Sequence, residues 1–255
     1  MSQNDKAARF AELHTKRNPL VLYNVWDAGS AKTVAESGAP AIATSSWSVA
    51  EAQGFHDGED IPIAFFAEQI IGRIAESVDV PVSADFEGGY TDDDSELSAN
   101  VARLLQSGIA GINFEDRVVK GSGLYDVARQ AARINTIRQA ADAHGVALFI
   151  NARTDLFLGQ GNEPSATVDE AISRSIAYAD AGASGFFIPG LQDEALIARI
   201  CESAPLPINV MVMEGVPDNQ RLAAIGVSRI SYGATPYIEV ISALRQRTVT
   251  QHAAT

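Results

Sequence analysis

Short, near-continuously apolar runs alternate with longer amphipathic stretches along almost the whole chain. The apolar runs are "LVLYN" (20–24), "PAIATS" (40–45), "VPVSADF" (80–86), "IAGINFE" (109–115), "VALFINA" (146–152), "GFFIP" (185–189), "LPINVMV" (206–212) and "VSRISY" (227–232). Runs this short, without strict alternation, read as parallel strands covered on both faces. Between them, "IPIAFFAEQIIGRIAESV" (61–78) carries Ile70, Ile71, Ile74 and Val78 at helical spacing, and 95–108 and 166–183 read the same way. One phrase recurs: helix end, glycine, strand, as in "ESGAPAI", "QSGIAGI", "AHGVALF", "DAGASGF" and "AIGVSRI". Eight β–α units follow one another with no linker or low-complexity segment. That pattern predicts a (β/α)8 TIM barrel as a single α/β domain over residues 1–255. An N-terminal helix over about 5–17 would close its bottom, and a C-terminal helix would follow "GATP". The alternative, a doubly wound open sheet, would carry a glycine-rich phosphate turn after its first strand, and "YNVWDAGSA" is not that turn.

Composition narrows the partners. The 255 residues are 46% hydrophobic, enough for a real core, and the net charge is -13. That charge argues against nucleic acid and against an anionic membrane, either of which would repel the chain. A small anionic substrate stays possible, because local cations or a bound metal can invert the field in a cleft. With Cys201 the one cysteine, no intramolecular disulfide can form, and a reducing compartment is expected. The start "MSQNDKAARFAELH" has no apolar signal region, and no run approaches the roughly 20 apolar residues of a membrane span. A cytoplasmic location is the expectation.

In a barrel of this kind the chemistry sits at the C-terminal ends of the strands. Those ends hold Asn24 and Asp27; Thr44, Ser45 and Ser46; Asp85 and Glu87; Glu115, Asp116 and Arg117; Asn151, Arg153 and Asp155; Glu214; and Tyr232 with Gly233. The opposite ends are mostly Ala, Gly, Pro and Val. Converging carboxylates cannot all stay ionised without a cation or shared protons. A hard divalent ion with oxygen ligands, Mg2+ or Mn2+, resolves this. Zinc is disfavoured, since the four histidines show no ligand spacing and Cys201 is alone; His144 reads as a helix-end partner.

Each residue also has an ordinary reading: Asp85 as a helix cap, Glu87 as a solvated side chain, Glu115-Asp116 as a surface turn, Arg153 as the ion-pair partner of Asp155. A Glu-Asp pair closing an apolar strand is costly without a partner, and the fork of Arg153 suits a substrate carboxylate. The run "TDDDSE" (91–96) reads as a helix start capped by Thr91. Two loops are long, 46–60 and 117–130. The second carries Lys120 beside Gly121, Ser122 and Gly123, the makings of a mobile lid.

Taken together, "YNVWDAGSAKTVAESGAPAIATSSWSVA", "GFHDGE", "VSADFEGGY", "GINFEDR" and "INARTD", in that order, with "GVSRISYG" at strand eight, resemble the isocitrate lyase / phosphoenolpyruvate mutase superfamily. The resemblance implies a 2-oxo acid or related carboxylate bound with Mg2+ and chemistry through an enolate-like intermediate. It places Ser45 and Ser46, with Trp47 beside them, at a turn that binds substrate through backbone amides. It makes Asp85 the metal-binding aspartate, Asp57 a supporting acid, Glu115 a carboxylate holding metal-bound water, and Arg153 the clamp on the substrate carboxylate. The family pattern Asp-x-Asp here meets Ser83 at its first place, with Glu87 supplying charge. The lyase lid motif, with its cysteine, is absent; "VKGSGLY" retains Lys120, with Ser122 where phosphonopyruvate-handling members have asparagine.

A lyase, or an oxaloacetate-type decarboxylase or hydrolase, cleaving a C–C bond of a small 2-oxo or 2-hydroxy (di)carboxylic acid is therefore expected. The alternatives are phosphonopyruvate hydrolase or phosphoenolpyruvate mutase-like P–C chemistry, and a non-catalytic 2-oxo acid binding protein. Lys120, Glu115 and Arg153 are the catalytic candidates, with Tyr125 a further acid or base. Asp57, Asp85, Glu87 and Glu115 are the metal candidates, and Ser45, Ser46, Trp47, Ser122 and Arg153 the substrate-binding ones. The resemblance also implies a homo-oligomer, a tetramer in which the last helix packs on a neighbour.

Overall fold

The computed structural model describes residues 1–158 and 164–253. Eight strands, β1 (Leu20–Leu22), β2 (Ile42–Ala43), β3 (Val82–Asp85), β4 (Gly111–Glu115), β5 (Phe149–Arg153), β6 (Gly185–Phe187), β7 (Ile208–Met211) and β8 (Arg229–Ser231), form one sheet in the order β1-β8-β7-β6-β5-β4-β3-β2. Every pairing is parallel. Just past β1 and β2, Val25 bridges to Thr44: Val25 N donates to Ala43 O at 2.9 Å and Ser45 N to Val25 O at 3.3 Å. That bridge closes the sheet into the expected (β/α)8 barrel.

Side chains alternate across each strand. Val82, Ala84, Ile112, Phe114, Ile150, Ala152, Phe186, Ile208, Val210 and Ile230 belong to the apolar layer between the strands and the surrounding helices. Those helices are α2 (Ala28–Glu36), α3 (Ser46–Gln53), α4 (Gly72–Glu76), α5 (Asp94–Leu105), α6 (Val127–Ala143), α7 (Pro164–Asp180), α8 (Glu194–Ser203), α9 (Asn219–Ala224) and α10 (Thr235–Ala253). The alternate residues line the lumen. At the bottom they are apolar, and α1 (Gln3–Glu12) plugs them. Phe10 meets Phe149 edge-on at 5.3 Å, and His14 stacks on the same ring at 4.0 Å. Gln3 donates to the carbonyls of Leu105 and Ile109, and Asn4 pairs with Gly145 O and Ala147 N, so the plug is tied to the loops entering β4 and β5.

Several expectations shift. Helix α1 stops at Glu12 rather than about 17, because Thr15 to Asn18 turn back with Arg17 left-handed at φ 69°. The 46–60 stretch is half helix: α3 occupies Ser46–Gln53. Within 61–78 the segment Phe65–Ile71 is a π-helix leading into α4. Its buried residues come in pairs, Phe66/Ala67, Ile70/Ile71 and Ile74/Ala75, a repeat of four. A helix wound at 3.6 would rotate that stripe off the barrel, whereas wider winding keeps it facing in. The cap of α5 is Asp93, whose carboxylate accepts from Glu96 N at 2.8 Å; Thr91 instead accepts from Asp93 N and bonds Glu96. His144 does end α6, its Nδ1 2.8 Å from Ala140 O. No helix among the described residues is long and apolar enough to cross a membrane.

Candidate active site

Strand β3 delivers Asp85 to the barrel mouth, and its backbone N donates to Thr44 Oγ1 at 2.9 Å. The chain then turns sharply. Glu87 and Tyr90 are left-handed at φ 50° and 68°, as is Glu59 at 62° on the loop above. Gly89, at φ 87°, could carry no side chain: a Cβ would lie 2.5 Å from Leu97 Cδ1. In "FEGGY" Gly89 thus lets the acid-bearing turn lie against α5, and Gly88 lets it lie under Val119 and Glu59, where a Cβ would come within 2.8 and 3.0 Å. The turn is locked in place. Glu87 Oε2 accepts from Glu59 N at 2.9 Å, Glu59 Oε1 from Tyr90 N at 2.7 Å, and Glu87 O from Glu115 N at 2.9 Å. From α6, buried Arg133 donates to the carbonyls of Gly88 and Thr91 and lies over the rings of Phe114 and Tyr125.

Strands β4 and β5 add Glu115 and Arg153, which face each other in register and pair at 2.9 Å. Arg153 also grips Asp155 with Nε at 2.6 Å and Nη2 at 3.0 Å. Both readings of Arg153 therefore meet in one side chain: the ion pair with Asp155 is real, and of five donors three are engaged, leaving two for a ligand. Asp116 turns the other way. Its carboxylate bonds Asp155 N, Arg174 and Tyr178, behind the mouth, so it is a structural hub. Asp27 caps α2 and Asn24 ties β1 to Thr44 and to Tyr232 and Gly233. Glu214 is exposed and forms no ion pair among the described residues.

Crowding shows in the titrations. Burial pushes the Glu87 carboxyl up to about 9, with Asp57, Asp85, Glu115 and Glu59 adding repulsion. Burial likewise raises Glu115, against the pull of Arg153. Desolvation and then the charge of Asp85 raise Asp57. Burial works against the charge of Arg153, but Glu115 and Asp155 hold it protonated.

Two expectations about donors change. The amide of Ser45 closes the barrel seam, and that of Ser46 is bonded to Asp85 Oδ2 at 3.1 Å, so neither is free for substrate in this structure. The Ser45 hydroxyl caps α3, and the Ser46 side chain bonds Asp57. Trp47 is half-buried, edge-on to Tyr237 at 5.9 Å. Ser83 lies one layer down inside the barrel, opposite Gly111, so the two acids at this turn are Asp85 and Glu87. Lys120 and Ser122 are exposed on a small hairpin closed by Arg117 and Leu124. Lys120 borders a cavity of about 220 Å³ with Glu59, at the edge of the acid cluster, and with Tyr90 and Tyr125. The Tyr125 hydroxyl donates to Asp92.

The donor set suits a hard cation. Asp85 Oδ1 is buried with no hydrogen-bond partner, and every nearby candidate ligand is an oxygen. Among the described residues no three acid, histidine or cysteine side chains form a closed ligand cage. Sequence reasoning missed Glu59, Arg133 and Arg229. Arg229 left a signal, a charge inside the apolar run "VSRISY", and Glu59 closes the motif "GFHDGE" without being singled out in it.

Residues 10–251 match the family model of phosphoenolpyruvate phosphomutase. The chain belongs to that family. An oxaloacetate decarboxylase of Pseudomonas savastanoi pv. phaseolicola is 31% identical over 253 residues, 95% of this chain and 83% of that protein. A crystal structure from Burkholderia cenocepacia J2315, described as a phosphonomutase, superposes with a TM-score of 0.94 at 42% identity, covering 98% of this chain and all of that one. A phosphonopyruvate hydrolase in complex with oxalate and Mg2+ shares the fold, with a TM-score of 0.84 at 20% identity over 100% of this chain and 88% of that one.

Proposed function

We propose that the chain is a Mg2+- or Mn2+-dependent enzyme that cleaves a C–C bond in a small 2-oxo or 2-hydroxy dicarboxylic acid of the oxaloacetate type. The observation that carries this is the free, buried Asp85 Oδ1 at the centre of a carboxylate cluster in which burial and then neighbouring acids push up Glu87 and Asp57. Such a cluster is poorly stable alone and is relieved by a divalent ion. Asp85 would hold the ion directly, with Asp57, Glu87 and Glu115 reaching it through water. When bound, the ion supplies electrophilic polarisation of the 2-oxo oxygen, where negative charge develops.

The residues do the rest. Arg153 takes a substrate carboxylate with its two remaining donors and is kept rigid by Glu115 and Asp155. Glu115, raised by burial, is suited to holding a proton near the reacting carbon. Lys120 and Ser122 reach the substrate only if the hairpin closes, which makes them lid residues. The similarity to an oxaloacetate decarboxylase supports C–C cleavage. The family match and the 42% identical neighbour keep a second reading, P–C chemistry on phosphonopyruvate. Helix α10 leaves Ile238, Val240, Leu244 and Val249 exposed, which supports assembly into an oligomer.

The test is an NMR time course with oxaloacetate, phosphonopyruvate and 2,3-dimethylmalate, each with Mg2+ or with EDTA. Metal-dependent loss of oxaloacetate that disappears in Asp85→Ala is the expected result. Turnover of phosphonopyruvate alone would select the second reading. Mg2+-dependent binding of a 2-oxo acid without turnover would point to a binding protein.

A further inference from the structure

Barrel interiors of this fold are filled mainly by branched apolar side chains. The middle layer here is polar: Ser83, Asn113, Asn151, Asn209, Arg229 and Ser231, all buried. Asn151 donates to Asn113 Oδ1 at 2.9 Å, and Ser231 to Asn209 Oδ1 at 3.2 Å. Arg229 joins the two groups. Its Nε donates to Ser231 Oγ at 3.3 Å and its Nη2 to Asn113 Oδ1 at 3.2 Å, while Nη1 has no partner. The side chain is 0% exposed and forms no ion pair among the described residues.

A buried guanidinium without a counter-ion is a poor way to stabilise a core; an apolar side chain of similar volume does better. Its position offers another reason. Asn113, which it bonds, is the register partner of Asp85 on the neighbouring strand. The charge therefore lies one side-chain layer beneath the mouth, in a buried interior where screening is weak. Burial lowers the pKa of Arg229, and the charge of Asp85 acts to restore it, so the two sense each other electrostatically.

We infer that Arg229 is an electrostatic positioning residue: its fixed charge beneath the acid cluster biases the mouth toward anionic ligands and against cations. This rests on the reading of the mouth as a metal and carboxylate site. It touches neither substrate nor ion, and its effect has opposite signs on the two.

The test uses the full chain and two probes: Mn2+ alone, followed by electron paramagnetic resonance, and oxalate added at saturating Mn2+, followed by calorimetry. Arg229→Met should bind Mn2+ about tenfold tighter and oxalate about tenfold weaker, the order expected for unit charges one side-chain layer apart in a protein interior. Arg229→Lys, which keeps the charge and loses the fork, should hold both affinities within about threefold of wild type. Lost packing would weaken both ligands together, in both variants, and that result would overturn the inference; so would unchanged affinities in Arg229→Met. Arg229→Gln replaces the methionine variant if that one does not fold. Wild-type protein that takes oxalate but no Mn2+ would sink the metal reading while leaving the oxalate comparison to judge Arg229. Binding of neither probe would sink both.

Discussion

The two ends of this barrel bury titratable groups in opposite ways. At the floor, burial and then the charge of Arg229 lower His14 to about 3, so the ring stays neutral between Phe10 and Phe149. At the mouth, Glu87 rises to about 9 because neighbouring acids crowd it as it is buried. The floor escapes the cost of burial by giving up charge inside an apolar shell. The mouth keeps acids that repel each other, and three of the four left-handed non-glycine residues found among the described residues, Glu59, Glu87 and Tyr90, lie there too. Unfavourable electrostatics and backbone strain in one place mark a site kept for ligands, while the floor is kept for stability.

The change that breaks this contrast most is Arg153→Met. It would leave Glu115 and Asp155 buried without their cation. A loss of about 3–5 kcal/mol is expected from urea denaturation, and turnover of the proposed substrate should fall by about a thousandfold or more. A variant as stable as wild type would mean the mouth acids are not held by this pairing. Phe10→Ala is the matching change at the floor. It empties the contact with Phe149 and the space above Gly111, where an added Cβ would lie 2.9 Å from the Phe10 ring. A cost of about 3–5 kcal/mol is expected, with Mn2+ binding at the mouth unchanged; a parallel loss of metal affinity would show that floor and mouth are one unit.

The floor and the mouth were not equally legible. All eight strands lie within the runs picked out by their apolar character, or run one residue past them, because strands covered on both faces leave no choice but continuous hydrophobicity. The mouth acids showed up as polar residues at strand ends. What holds them did not. Arg133 and Arg174 sit on helices as ordinary basic residues, and only tertiary contact reveals that they reach Gly88 O and Asp116. Helix α3 was hidden because its buried residues, Ser48, Val49 and Ala50, are consecutive rather than periodic. Thr91 and Asp93 are both good caps by type; the choice depends on where α5 begins, which the sequence leaves open by a residue or two.

The smallest and sharpest test is the pH dependence of the floor. In the folded chain His14 titrates at about 3, below its ordinary value near 6.5. Between those values the unfolded chain binds a proton that the folded chain refuses. Stability from this residue is therefore complete above about 6.5 and is lost as pH falls, by at most about 1.4 kcal/mol per pH unit. Glu87 has the opposite sign: its raised pKa favours the fold at low pH, and that contribution fades as pH rises through about 9. Urea midpoints at pH 7.5, 5.5 and 4.5 should thus fall more steeply for wild type than for His14→Phe, which keeps an aromatic ring on Phe149 without the titration. Glu87→Gln should fall more steeply than wild type, since it lacks the opposing term. Parallel curves for wild type and His14→Phe would show that the histidine is solvated in the folded chain, and the floor would then be no drier than the mouth.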